Sequence, residues 1–213
     1  EEFDAIPLGD VRAVLISGNA LGRGSCGPTT VYATERAAEA GLVSFIDLDL
    51  RPTEWETPDA YGEAMRRVFP LVDVAIGTEE EFYAALMPDP GPVLAGAAVP
   101  EGERDELDAR VADLLEQGMK AIALKRGARG VSVLTGVDRL DVPGFSVEVL
   151  NTVGAGDAFA SGLIRSRLRG FDWWASARFA NACGAITVTR HGCASAFPTE
   201  DEVEAFVAAN GGW

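Results

Sequence analysis

The run 151–160, NTVGAGDAFA, carries the residues best suited to chemistry. Gly154, Ala155 and Gly156 precede a helical pattern, so their backbone N–H groups can converge on one point without side chains in the way. Those groups have no intrahelical partner, and the helix dipole adds positive potential there. We therefore predict an anion site, most simply for phosphate. Asp157, in the same turn, either takes a proton from an attacking hydroxyl or only caps the helix.

The elements that must position this turn follow a repeated strand-then-helix order, which predicts an α/β fold with a mostly parallel sheet covered by helices on both faces. In such sheets ligands gather at the C-terminal ends of the strands. Apolar runs predict strands at 11–17, 43–47, 72–76, 121–124 and 145–149 and a hairpin of 131–134 with 140–142. Periodicity predicts helices at 29–40, 58–68, 79–87, 105–117, 157–169, 173–188 and 199–209.

Three polar clusters fall at predicted strand ends, and each has two interpretations. Asp49 and Arg51 stand at alternate positions, so they either grip a carboxylate or phosphate, which Arg does well, or form a structural ion pair. In 78–81, TEEE, the threonine and the last glutamate fit a capping box. Lys125 and Gly127 supply a cation and room for close backbone approach, or form a β-turn with solvated charges.

Composition narrows the class of protein. The 213 residues suit one domain. A net charge of −15 argues against binding nucleic acid or an anionic membrane, because that affinity rests on Lys and Arg. Three cysteines without a C-x-x-C spacing suit a reducing cytoplasm. The only histidine leaves no pair for zinc, and the sequence has no apolar run of the roughly 20 residues that cross a bilayer.

The string 152–159, TVGAGDAF, closely resembles the second signature of the ribokinase-like (PfkB) family of carbohydrate kinases. The resemblance implies a three-layer fold and a kinase that uses ATP and Mg²⁺. It also implies that Asp157 is the catalytic base and that the N–H groups of Gly154, Ala155 and Gly156 stabilise charge on the transferred phosphoryl group.

The same resemblance assigns further residues. It implies that Lys125, Gly127 and Asn181 border the nucleotide, with Asn181 in the adenine pocket. Glu81 matches the glutamate of the family's N-x-x-E motif, which helps to hold Mg²⁺, although Thr78 replaces the motif's asparagine.

A monovalent-cation site, possibly for K⁺, is also implied by the resemblance. The family usually has aspartate where this sequence has Asn151, so one charge is removed from that site. The implied ligands are backbone groups of Asn151, Val153, Thr187, Arg190 and Ala196.

Two stretches, 46–52 with Trp55 and 193–200, resemble family members that phosphorylate keto-deoxy sugar acids. A carboxylate held by Arg51 fits such substrates, and two sugar acids stay open as alternatives. The resemblance runs from about Val11 to Val207 and covers the C-terminal two-thirds of a typical member. We therefore expect a single, N-terminally incomplete kinase domain, with a possible homodimer formed through a lid that lies outside the sequence. The alternative is a catalytically silent nucleotide-binding module.

Overall fold

The computed structural model describes residues 3–22 and 24–213. These residues divide into two compact units. The first unit comprises residues up to 124 together with 134–137, and the second comprises 125–133 and 138–213. Among the described residues, no helix is both long and apolar enough to cross a membrane.

Parallel strand pairing organises the first unit, whose strands β1 to β4 lie side by side in chain order. β1 pairs in parallel with β2, with Ser17 opposite Asp47, and β2 pairs in parallel with β3, with Asp47 opposite Ile76. The bounds of the elements are β1 Ala13–Ser17, α1 Cys26–Glu39, β2 Val43–Asp47, α2 Pro58–Val68, β3 Val74–Thr78, α3 Glu79–Leu86, α4 Gly91–Leu94, α5 Arg104–Glu116 and β4 Ala121–Lys125.

The core of the first unit is formed by the apolar faces of these strands and helices. β2 and β3 are almost wholly buried, which is the pattern expected of parallel strands that are covered on both faces. The largest fully buried side chains include Tyr61, Phe45 and Phe82. Burial of α2 against this core places Tyr61 beneath the strand ends, where it takes part in the candidate site described below.

The second unit is built on a helix pair. Its elements are β5 Val131–Thr135, which continues into the first unit, then β6 Arg139–Val142, α6 Ala155–Leu168, α7 Trp173–Val188 and α8 Glu200–Ala209. α6 and α7 pack through small residues, and Phe145 joins α7 and α8 in a separate apolar cluster. Thr199 caps α8 and Asp172 caps α7, each by accepting a backbone N–H, as expected from the residue types.

Most of the predicted elements are found, but the predicted strand 145–149 is wrong. Residues 143–149 have no regular secondary structure. Asn181 and the carbonyl of Val188 bind the backbone near the two ends of this segment. The alternating apolar pattern arises because Phe145 and Val147 face the apolar cluster, whereas Val149 is 57% exposed.

Several boundaries also differ from the prediction: β1 begins at Ala13 rather than at 11, and α6 begins at Ala155 rather than at 157. α1 begins at Cys26 rather than at residue 29, because Pro28 is tolerated in a first turn whose N–H groups lack helical partners. β3 begins at Val74 rather than at 72, because a 3₁₀ turn over Phe69–Leu71 takes up the preceding residues.

α6 packs tightly against α7 at Gly162, and this contact supports a stability prediction. A Cβ on Gly162 would lie 2.8 Å from Cys183 Sγ and 3.1 Å from Ala180 Cα. We expect Gly162→Ala to destabilise the protein by about 1–3 kcal/mol, the usual cost of overpacking a core, as measured by chemical denaturation. Gly184→Ala in α7 is the matched control, because its Cβ would meet the nearest atom at an ordinary 3.4 Å. Equal stability of the two variants would contradict the prediction.

Candidate active site

The turn that precedes α6 is closed by a backbone bond from Ala155 N to Thr152 O at 3.3 Å, and its role as an anion site stays a prediction. Gly154 caps the helix with φ +84° and ψ −4°, a left-handed conformation that favours glycine. A Cβ there would lie 3.1 Å from both Cys193 Sγ and Phe197, so the turn has no room for a side chain. The prediction of a glycine turn at a helix start is confirmed. Asp157 is exposed in the first turn of α6, where a ligand can reach it.

Lys125, the last residue of β4, points at this turn. Its Nζ lies 3.6 Å from the position that a Cβ on Gly156 would take. The ammonium group and the N-terminus of α6 therefore place positive potential on one spot. Within an acidic chain, this combination concentrates the attraction for a multiply charged anion at the turn.

Gly127, two residues after Lys125, begins a short 3₁₀ turn, Gly127–Arg129. Its φ is +56°, and no heavy atom lies within 4 Å of the position a Cβ would occupy. The backbone at this position is therefore open to the close approach that the sequence predicts. Behind the turn, Asp141 accepts a hydrogen bond from Ser132 and pairs with Arg139, and these contacts lower the pKa of its carboxyl group.

Asn181 is buried in α7, and its side chain is engaged with the backbone. Its Nδ2 donates to the carbonyls of Val142 at 3.2 Å and Pro143 at 3.1 Å. The amide thus ties α7 to the segment that follows β6. The described contacts of Asn181 are structural, and its contact with an adenine ring stays a prediction.

The residues of the implied monovalent-cation site lie near one another but bond among themselves. Asn151 Nδ2 donates to Gly192 O at 2.8 Å, and Asn151 Oδ1 accepts from Val153 N at 3.1 Å. Arg190 contacts two of the implied ligands, because its N donates to Thr187 O at 3.1 Å and its Nη1 to Ala196 O at 3.4 Å. The guanidinium of Arg190 also pairs with Glu202, with Nη2 2.6 Å from Oε1, so the charge of Arg190 is compensated. Binding of a monovalent cation at these residues stays a prediction.

The asparagine at position 151, where the family usually has aspartate, predicts indifference to the monovalent cation. With Asn151 in place of a charged residue and Arg190 against Ala196 O, replacing K⁺ by Na⁺ or choline should change the turnover of the full-length protein less than twofold. The measurement is initial rate against salt type at constant ionic strength. A stimulation of tenfold or more by K⁺ would contradict the prediction.

In the first unit, Asp49 and Arg51 lie together at the end of β2, as the sequence predicts. Asp49 Oδ1 accepts from Arg51 Nε at 3.2 Å, and Asp49 Oδ2 accepts from Ser17 Oγ at 3.1 Å. Arg51 is 61% exposed and Asp49 is 31% exposed. Ion pairs with this exposure add little to stability, and a ligand-directed role for this pair stays a prediction.

Glu81 lies in the capping box of α3, and this prediction is confirmed. Its Oε2 accepts Thr78 N at 2.6 Å, while Thr78 Oγ1 accepts Glu81 N at 3.2 Å. Its Oε1 accepts Leu50 N at 3.2 Å. A carboxylate accepts at about four lone-pair positions, so these bonds are compatible with a further contact to a water of hydrated Mg²⁺. In residues 3–22 and 24–213, no group of three or more His, Cys, Asp or Glu side chains is placed to hold a metal ion.

Two residues of this arrangement were missed by the sequence analysis. Ser17 bonds to Asp49, and Tyr61 OH donates to the carbonyl of Leu48 at 3.2 Å. Ser17 ends a strand parallel to β2, and that position at a strand end could have been noticed. Tyr61 shows no signal beyond its place on the buried face of α2.

The class of protein follows from comparisons with known proteins. The family described as pfkB family carbohydrate kinase matches residues 1–200. The chain belongs to the pfkB family of carbohydrate kinases.

Curated relatives and solved structures agree with this class. Over 92% of its own length, the chain is 29% identical to the 5-dehydro-2-deoxygluconokinase of Geobacillus thermodenitrificans. Over 97% of its own length, it is 27% identical to the 5-dehydro-2-deoxygluconokinase of Shouchella clausii. It spans 55% and 60% of those two proteins. It is 26% identical to Vibrio cholerae fructokinase, solved with fructose, ADP and calcium, with a TM-score of 0.76, and covers 64% of it. The chain is also 26% identical to an E. coli protein described as a putative ribokinase II, solved in complex with ATP and Mg²⁺. The TM-score is 0.79, and the chain covers 60% of that protein.

Proposed function

We propose that the whole protein is an ATP-dependent kinase that phosphorylates a primary hydroxyl of a keto-deoxy sugar acid. The observation that carries this proposal is the convergence of Lys125 Nζ with the N-terminus of α6, beside the exposed carboxylate of Asp157. Phosphoryl transfer needs positioning and stabilisation of developing negative charge. This turn offers a cation and the N-terminal N–H groups of a helix, of which Ala155 N donates to Thr152 O at 3.3 Å in the unliganded turn.

Each of the candidate residues has a separate role in the proposed reaction. Asp157 takes the proton from the substrate hydroxyl. The N–H groups of Gly154, Ala155 and Gly156 stabilise the charge on the transferred group. Lys125 and Gly127 border the phosphates of ATP, and Asn181 its adenine. When bound with ATP, Mg²⁺ neutralises phosphate charge, and Glu81 would help to hold it through water.

The substrate side of the proposal rests on Arg51. Its guanidinium is exposed beside Asp49, and guanidinium groups bind carboxylates bidentately. A sugar acid supplies such a carboxylate. The names of the curated relatives favour 5-dehydro-2-deoxygluconate, an intermediate of myo-inositol breakdown. The alternative substrate is 2-dehydro-3-deoxygluconate or another sugar of the family.

The test is ADP release by the full-length protein with MgATP and each sugar acid in turn. Turnover of 5-dehydro-2-deoxygluconate alone supports the proposal in full. Turnover of only the other acid keeps the kinase and changes the substrate. An Arg51→Lys variant is the matched probe, because it keeps the charge but loses the bidentate fork. It should raise KM for the acid and leave KM for ATP unchanged.

A second candidate function is suggested by coverage, because the chain spans 55–60% of the length of the two curated relatives. A chain of this extent can act as a nucleotide-binding module without turnover. Silence of the full-length protein on every sugar acid, together with MgADP binding measured by calorimetry, would favour this second candidate. The cytoplasmic location and the homodimer formed through a lid stay predictions.

A further inference from the structure

The segment 48–51, which carries Asp49 and Arg51, has an unusual backbone. Asp49 has φ +38° and is the sole non-glycine residue with positive φ among residues 3–22 and 24–213. A side chain in this region stores strain and persists only where its surroundings hold it. The contacts that hold Asp49 therefore decide where its carboxylate and its partner Arg51 stand.

Hydrogen bonds hold the chain on both sides of Asp49. On one side, the buried Tyr61 hydroxyl donates to Leu48 O at 3.2 Å. Burial and the nearby carboxylates of Glu81, Asp47 and Asp49 raise the pKa of Tyr61 well above its ordinary value, so its hydroxyl stays a donor. On the other side, Leu50 N donates to Glu81 Oε1 at 3.2 Å.

Glu81 thus does two things with one carboxylate. One oxygen accepts Thr78 N and closes the capping box of α3, and the other accepts Leu50 N. The rigid start of α3 is thereby joined to the strained segment 48–51. A glutamine has one acceptor oxygen and leaves one of the two N–H groups without its acceptor.

We propose that Glu81 is a positioning residue for the pair Asp49 and Arg51, which would bind the carboxylate of the sugar acid. The bond from Leu50 N to Glu81 holds Asp49 in the left-handed conformation that orients Arg51. This inference rests on the proposed kinase function and adds a specific role for Glu81 on the acid side of the site. It is separate from the contact of Glu81 with hydrated Mg²⁺.

The first test needs no substrate. Hydrogen exchange is measured by mass spectrometry on the full-length Glu81→Gln protein, with Glu79→Gln as the matched control. Glu79 lies in the same helical turn, but its carboxylate accepts from Arg104 Nη1 at 3.1 Å. We expect amide exchange over 48–51 to quicken about tenfold in Glu81→Gln, as for a lost hydrogen bond to a charged group, and to stay unchanged in Glu79→Gln. Unchanged exchange in Glu81→Gln would overturn the proposal.

The second test separates binding of the sugar acid from binding of Mg²⁺ by kinetics. In Glu81→Gln, KM for the sugar acid should rise about tenfold with a smaller change in kcat, whereas Glu79→Gln should match the wild type. A rise confined to the Mg²⁺ concentration for half-maximal rate, with KM for the acid unchanged, would overturn the positioning role and leave only the metal contact. If the wild type phosphorylates no sugar acid, the proposed function fails, and the exchange result alone decides whether Glu81 holds the segment.

Discussion

Asp157→Asn should lower kcat of the full-length kinase about a thousandfold, within the range for removal of a general base, while MgATP binding changes less than twofold. Asparagine keeps the size of the side chain but cannot take the proton from the substrate hydroxyl at neutral pH. Asp157 is exposed in the first turn of α6, so its replacement by asparagine should leave the fold intact. Turnover and calorimetric nucleotide affinity are the two measurements.

The matched control is Asp172→Asn, because Asp172 also stands at a helix start. Its carboxylate caps α7 by accepting Ala175 N at 2.8 Å. Asparagine is an equally good N-cap, so Asp172→Asn should change stability little and leave kcat unchanged. A fully active Asp157→Asn enzyme would refute the assignment of the base. A loss of nucleotide affinity equal to the loss of kcat would instead make Asp157 a binding residue.

The second large effect is expected at Gly154. Gly154→Ala places a side chain at φ +84° and brings its Cβ to 3.1 Å from both Cys193 Sγ and Phe197. The left-handed conformation costs about 1–2 kcal/mol, and the overpacking adds about 1–3 kcal/mol. Both stability and turnover should therefore fall, measured by thermal unfolding and by initial rates.

Gly156 lies two positions after Gly154, and Gly156→Ala should separate an effect on stability from an effect on anion binding. Gly156 is helical, and its Cβ would lie an ordinary 3.6 Å from Lys125 Nζ. Alanine is the better helix former by up to about 1 kcal/mol, so stability should hold or rise. The new methyl group stands between Lys125 and the turn, so affinity for MgATP should fall about tenfold, a loss near 1.4 kcal/mol. Unaltered affinity would show that the anion binds elsewhere.

Much of the fold could be predicted because local chemistry sets the ends of its elements. Pro58 at a helix start and Asp172 as a cap give α2 and α7 their predicted bounds. The glycine turn before α6 was predictable for the same reason, since the left-handed conformation of Gly154 favours glycine.

The rest depends on contacts between segments that are distant in sequence. Ser17 meets Asp49 only because β1 and β2 pair in parallel, and Tyr61 reaches Leu48 only because α2 packs beneath the strand ends. The guanidinium of Arg190 meets Ala196 O across a turn that periodicity does not describe. Residues 145–149 alternate like a strand, although the segment is held by Asn181 and α7.

The double use of the Glu81 carboxylate has an evolutionary consequence. One carboxylate caps α3 and holds Leu50, so under the proposed positioning role selection for a folded protein and selection for substrate recognition act on the same atoms. A descendant that lost catalysis could let Asp157 drift, because that side chain is exposed. It would still keep a glutamate at position 81. Retention of this glutamate in a lineage is therefore poor evidence that the lineage still has an active enzyme.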